Sequence, residues 1–252
     1  MDEMLLSRVE DAGLNASAPP QQRWLDGWLL RYSPGKAKRA RCINALAVGR
    51  LPLEDKLRQA QALFTEAGLP AVVRITPFTQ PPGLEAWLAE RGWTVLDDTR
   101  VMVCSRLHPG EPAALPAGTC WAPLDAAAYA QAVGDLRGSP PEQRLAHAQR
   151  LAASPVPYRG YAIRCVDDGA LLACGQFVRE HELVGLYDVH THPQARGKGL
   201  ATAVCKRLLA SAASEGAVVA YLQVDAANDA ARRIYQRLGF ADGYAYHYRL
   251  AP

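Results

Sequence analysis

Gln194-Ala195-Arg196-Gly197-Lys198-Gly199-Leu200-Ala201 is the stretch whose reading decides the fold. It follows a strand predicted over residues 183–190 and opens a helix predicted over 199–215. Glycines at 197 and 199 let the backbone approach a ligand closely. Successive N–H groups at a helix start form a concave site for phosphate oxygens, and the positive end of the helix dipole favours negative charge there. Arg196 and Lys198 add positive charge. Taken alone the stretch also reads as a glycine-rich turn.

To its right the pattern gives a strand over 217–224, a helix over 230–238 and a strand over 244–250. To its left, strands over 161–166 and 171–179 flank Asp167-Asp168-Gly169, the turn signal of a hairpin, and the strand over 183–190 completes a meander. Alanine-rich residues 125–153 read as two helices broken at Gly138-Ser139-Pro140-Pro141. Residues 107–123 concentrate prolines and glycines as a linker does, with a boundary near Gly110. Further left, strands over 28–32 and 43–48 surround the turn Ser33-Pro34-Gly35. A helix (53–67), a strand (71–76), a helix (84–91) and a strand (100–107) follow. The expected organisation is a first domain over 1–110, a proline-rich linker over 111–123 and a second domain over 124–252. Each domain is expected to be an α/β unit with a central mixed sheet flanked by helices.

Composition narrows the function classes. The chain has 252 residues, is 49% hydrophobic and 21% charged, and carries a net charge of +3, so two ordinary cores fit and no extended nucleic-acid or membrane surface is implied. Lys36, Lys38, Arg39 and Arg41 form the densest basic cluster, but without interleaved aromatics they read as a solvated hairpin. The six cysteines are scattered without metal-ligand spacing, the first residues lack a leader pattern, and no apolar run is long enough to span a bilayer. A cytoplasmic location is expected. His190-Thr191-His192 lacks a third ligand, so no metal is expected.

The two halves are alike. With an offset of 147 positions, Leu88-Ala89-Glu90-Arg91-Gly92-Trp93 lies over Tyr235-Gln236-Arg237-Leu238-Gly239-Phe240, and Ala71-Val72-Val73 falls within one residue of Ala217-Val218-Val219. At the position of the glycine loop, however, the first half reads Arg50-Leu51-Pro52-Leu53. Both glycines are absent, Pro52 removes an N–H, and Leu88 stands where the second half has Tyr235.

Asn228 to Phe240 (NDAARRIYQRLGF) is the second informative piece. Asn228 reads as a helix cap, and Tyr235 lies two turns on, on a similar face, where it could also simply pack in the core. Gln194, Gly197 and Gly199 meet the Q/R-x-x-G-x-G/A motif, and Asn228, Ala231, Tyr235, Gly239 and Phe240 meet a later N-x-x-A-x-x-x-Y-x-x-x-G-F pattern. Together these motifs resemble those of the GNAT superfamily of acetyl-CoA-dependent N-acyltransferases, over roughly residues 161–250. The resemblance makes the chain two tandem GNAT-like domains, the first without its cofactor loop.

The resemblance implies an N-acetyltransferase that moves an acetyl group from acetyl-CoA to a primary amine, of a small molecule rather than a protein, by direct attack in a ternary complex. It implies that the backbone of Asp188, Val189, His190 and Thr191 pairs with the pantetheine arm, that the loop from Gln194 through Arg196, Gly197, Lys198, Gly199, Leu200 and Ala201 holds the pyrophosphate, and that Asn228 contacts the pantetheine. The Val189 N–H would then stabilise the thioester oxygen and Tyr235 would protonate the departing thiolate. An alkylammonium must lose its proton before attack. Glu182, Asp188 and His190 are the available bases, with Glu182 preferred by its distance upstream of Val189. The contrasting reading is a non-catalytic acyl-CoA-binding sensor or interaction protein. The sequence leaves a homodimer open.

Overall fold

The computed structural model describes residues 1–33, 37–108 and 114–252. In chain order the elements are α1 (Glu3–Ala16), β1 (Gln22–Leu25), β2 (Trp28–Arg31), β3 (Ile43–Ala45), α2 (Leu53–Glu66), β4 (Val72–Ile75), α3 (Leu84–Glu90) and β5 (Thr94–Cys104), then β6 (Thr119–Leu124), α4 (Ala126–Arg137), α5 (Pro141–Ala152), β7 (Tyr158–Cys165), β8 (Leu171–Glu180), β9 (Leu183–Thr191), α6 (Leu200–Ser214), β10 (Val219–Asp225), α7 (Asp229–Arg237) and β11 (Ala241–Leu250). The mixed α/β class is as the sequence predicts. Pro34, Gly35, Lys36 and the boundary at Gly110 lie outside the described residues.

The chain forms two compact units that trade segments relative to the ranges 1–110 and 124–252. One comprises Met1–Ala16, Met102–Val224 and Asn228–Asp242; the other comprises Ser17–Val101, Asp225–Ala227 and Gly243–Pro252. The former is the second-half unit and the latter the first-half unit. In the second-half unit the strand order is β5-β10-β9-β8-β7-β6, and in the first-half unit it is β1-β2-β3-β4-β11-β5. The last strand of the chain, β11, therefore pairs antiparallel with β4, Leu250 opposite Val72 and His247 opposite Ile75.

The second-half sheet is sandwiched. On one face α6 buries Val204, Cys205 and Leu208 with Phe177, Val184 and Leu222; on the other Tyr129, Val133 and Leu151 of α4 and α5 pack with Ala162 and Cys174. Gly160 has to be glycine because a Cβ there would come within 2.5 Å of the Tyr129 ring. In the first-half unit Leu57, Ala60 and Phe64 of α2 and Leu84 and Leu88 of α3 cover Trp28, Leu30, Ile43 and Val73.

Three elements differ from the sequence expectation. β6 occupies the end of the stretch that reads as a linker, and Pro123 is tolerated because β6 is an edge strand that, among the described residues, pairs only with β7. β1 completes a hairpin through Asp26-Gly27, both with positive φ (45° and 84°), as a tight hairpin turn requires. α1 buries Val9, Ala12, Leu14 and Ala16, and Arg8 pairs with Glu182. Among the described residues no helix is long and apolar enough to cross a membrane.

Candidate active site

β9 and β10 run parallel from Leu183 opposite Val219 to Leu186 opposite Leu222, where their ladder ends. β9 continues to Thr191 and β10 to Asp225, so the edge of β9 that faces β10 is left open to a ligand over its last residues. On its other side β9 stays joined to β8 through a bulge. Cys174 faces His190 and Gln176 faces Tyr187, which leaves Gly175 alone opposite Asp188 and Val189. Asp188 has φ of 52°.

The loop after β9 makes a 3-10 turn at Pro193–Ala195, in which the His192 ring accepts a hydrogen bond from the Gln194 N–H at 3.3 Å. Gly197 and Gly199 then take positive φ (78° and 75°), which an L side chain would strain, and nothing lies within 4 Å of where a Cβ would be. α6 starts at once. Its first α-helical bond is from the Ala203 N–H to the Gly199 carbonyl (3.0 Å), so the N–H groups of Leu200, Ala201 and Thr202 have no partner within the helix. Arg196, Lys198 and Gln194 are exposed around them. Thr191 contributes a buried hydroxyl with no hydrogen-bond partner. Free N–H groups at a helix start, two cations and an orphaned hydroxyl beside an open strand edge fit a ligand with an anionic pyrophosphate and an amide-bearing arm.

Residues 127–240 match the model of the acetyltransferase (GNAT) family. The second half is a GNAT acetyltransferase domain. The chain is similar over 91% of its length to an uncharacterized N-acetyltransferase, YobR, of Bacillus subtilis (strain 168), at 26% identity and 92% coverage of that protein. In fold it resembles a GCN5-related N-acetyltransferase from Kribbella flavida, with a TM-score of 0.70, 17% identity, and coverage of 98% and 95% of the two chains. It also resembles a tandem GNAT protein from the clavulanic acid biosynthesis pathway, with a TM-score of 0.65, 15% identity, and coverage of 79% and 69%. The chain is an acyltransferase.

Within the GNAT domain Tyr235 projects from α7 onto the core beneath α6, with its ring edge-on to Phe240 at 6.1 Å. Burial, and the neighbouring Cys205 thiol, push its phenol above the ordinary value of 10, so it keeps its proton through the neutral range. Asn228 caps α7, its Oδ1 accepting from the Ala231 N–H at 3.2 Å, which leaves its amide NH₂ to donate elsewhere. His190 is pushed below its ordinary value by burial and then by Arg137 and Arg196, so its imidazole is neutral at pH 7.

The structure does not bring Glu182 to this group. Glu182 lies in the turn before β9, partly exposed and ion-paired with Arg8, and seven residues of strand at roughly 3.3 Å each put about 23 Å between it and Val189. Four residues that local sequence reading missed gather instead at Asp188: Tyr129, Arg137, His147 and Gln176. They come from positions 12 to 59 residues away, and no local pattern marks them.

In the first half the loop before α2 is already filled. The Asp26 carboxylate accepts from the N–H groups of Arg50 and Leu51 (each 2.9 Å), and the buried Lys56 amine lies 2.9 Å from the same carboxylate. These bonds, those from Leu51 and Lys56 first, hold Asp26 down at about 2. An internal anion thus sits where the matching loop of the second half offers its free N–H groups.

Proposed function

We propose that the chain transfers the acetyl group of acetyl-CoA to a primary amine of a small molecule, by direct attack in a ternary complex. The observation that carries this reading is the open edge of β9 leading into a glycine loop and a helix start whose first N–H groups, those of Leu200, Ala201 and Thr202, have no partner within the helix. The N–H groups from Arg196 through Gly197, Lys198, Gly199, Leu200 and Ala201 hold the pyrophosphate, with Gln194 beside them. The backbone of Asp188, Val189, His190 and Thr191 and the Asn228 amide hold the pantetheine. The amine nitrogen attacks the thioester carbon as a C–N bond forms, and the Val189 N–H stabilises the oxygen as it becomes negative. The C–S bond then breaks, and the thiolate takes the Tyr235 proton. The ammonium gives its proton to His190, which is neutral and lies at the bulge, whereas Glu182 is at the far end of β9. The first half, with Asp26 in its loop, binds no acetyl-CoA. Six free cysteines suit a reducing, cytoplasmic setting.

The test is to supply acetyl-CoA with a panel of primary amines and follow free CoA thiol together with acetylated product. Equimolar appearance of both is expected. Tight acetyl-CoA binding with no thiol release for any amine would replace this reading with that of a non-catalytic acyl-CoA sensor.

A further inference from the structure

Asp188 occupies a backbone conformation that non-glycine residues enter at an energetic cost, and it is held there from three elements. Arg137, the last residue of α4, donates to one carboxylate oxygen at 2.8 Å, and Gln176 of β8 donates to the other at 3.0 Å. His147 of α5 lies 3.5 Å from that second oxygen. The Tyr129 hydroxyl of α4 donates to the Asp188 carbonyl at 2.9 Å. Tyr129 and Gln176 are each 1% exposed, so these donors cannot swing away without unpacking the domain.

The Asp188 carbonyl and the Val189 N–H belong to one planar trans peptide, in which the two groups point in opposite directions. Whatever fixes the carbonyl therefore fixes the N–H. We propose that Asp188, with Tyr129 and Arg137, is a positioning device that sets the direction of the Val189 N–H and so aims it at the thioester oxygen. Its catalytic part rests on the acetyl-transfer reading above. Burial, the largest single influence, pushes the Asp188 carboxyl up, but Arg137, His147 and Arg150 together outweigh it and the group sits at about 2. It is therefore an ionised acceptor for Arg137 and Gln176 and too weak a base to deprotonate the amine.

Two variants and two readouts test this. Tyr129→Phe removes one hydroxyl and keeps the ring that packs on Gly160. Asp188→Gly keeps the left-handed backbone and removes the carboxylate. In both, hydrogen exchange in a peptide covering residues 187–191 is expected to rise while that of residues 183–186 stays as in the wild type. kcat is expected to fall roughly 10- to 100-fold, the loss that misplacing a reacting group produces. Asp188→Asn, which tolerates the backbone and can still accept from Arg137, is expected to lose less than Asp188→Gly. Unchanged exchange in both variants would show that the bulge needs no such hold and would overturn the proposal. Raised exchange with wild-type kcat would overturn its catalytic part. A wild-type protein that turns over no amine would sink the acetyl-transfer reading, and the exchange measurement would still decide whether Asp188 and Tyr129 hold the bulge.

Discussion

Tyr235 and His190 are pushed in opposite directions by the same burial, because burial disfavours whichever form carries charge. The phenol keeps its proton and the imidazole stays without one, which is the division of labour that amine acylation requires. Tyr235→Phe is expected to lower kcat by about 100-fold, within the usual range for losing a general acid, and to leave acetyl-CoA affinity as it was. For His190 the check is a pH profile. Because its folded value lies below 6.5, wild-type kcat/KM should rise through the acid region and level off by neutral pH. In His190→Gln the amine must deprotonate by itself, so activity at pH 7 should fall and climb toward the amine's own value of about 10. A profile unchanged in shape would remove His190 as the base. At this scale the positive φ of Gly197 and Gly199 and the Asn228 cap are legible, since each is fixed by its spacing within one helix or loop. Arg137, Gln176 and Tyr129 are not, because each matters through a contact with Asp188 made across the fold.

Among the elements, those with strong period were placed well. The predicted helix over 199–215 is α6, Leu200–Ser214, and the predicted strand over 171–179 is β8, Leu171–Glu180. α1 escapes a reading by period because its buried face includes Glu10 and Gly13 beside Val9 and Leu14. β6 was missed because prolines in the surrounding stretch read as linker, a reading that an edge strand defeats. α7 offers a test that separates folding from binding. Asn228→Ala should destabilise the domain by about 1 kcal/mol through the lost cap, whereas Asn228→Ser should keep the cap and lose only the amide donor. If Asn228 contacts the pantetheine, denaturant unfolding of the serine variant matches the wild type while its KM for acetyl-CoA rises. An unchanged KM would leave Asn228 with its cap alone.

Across the whole molecule, α2 and α6, β4 and β10, and β5 and β11 each start 147 positions apart (53 and 200, 72 and 219, 94 and 241), the offset read from the sequence. That agreement supports a repeat. What the repeat could not reveal is that β11 pairs with β4 of the first half, since strand partners are chosen by packing and not by order along the chain. Nor could it reveal the Asp26 carboxylate in the first-half loop, which comes from the hairpin tip between β1 and β2. Asp26 has a folded value of about 2 against 3.8 for the free group, so its stabilising contribution is present above about pH 4 and lost as the pH falls toward 2. The unfolding midpoint of Asp26→Asn should accordingly lie below the wild type at pH 6 and converge with it near pH 2. A gap that persists at pH 2 would mean that the charge is not what holds the loop.

The second-half loop is expected to form one acetyl-CoA site, and the first-half loop none. The direct measurement is a calorimetric titration of the chain with acetyl-CoA, beside a Gly197→Pro variant that cannot adopt the positive φ of that position. One site per chain, lost in the variant, is the expected result. Two sites, or a single site that survives Gly197→Pro, would contradict it.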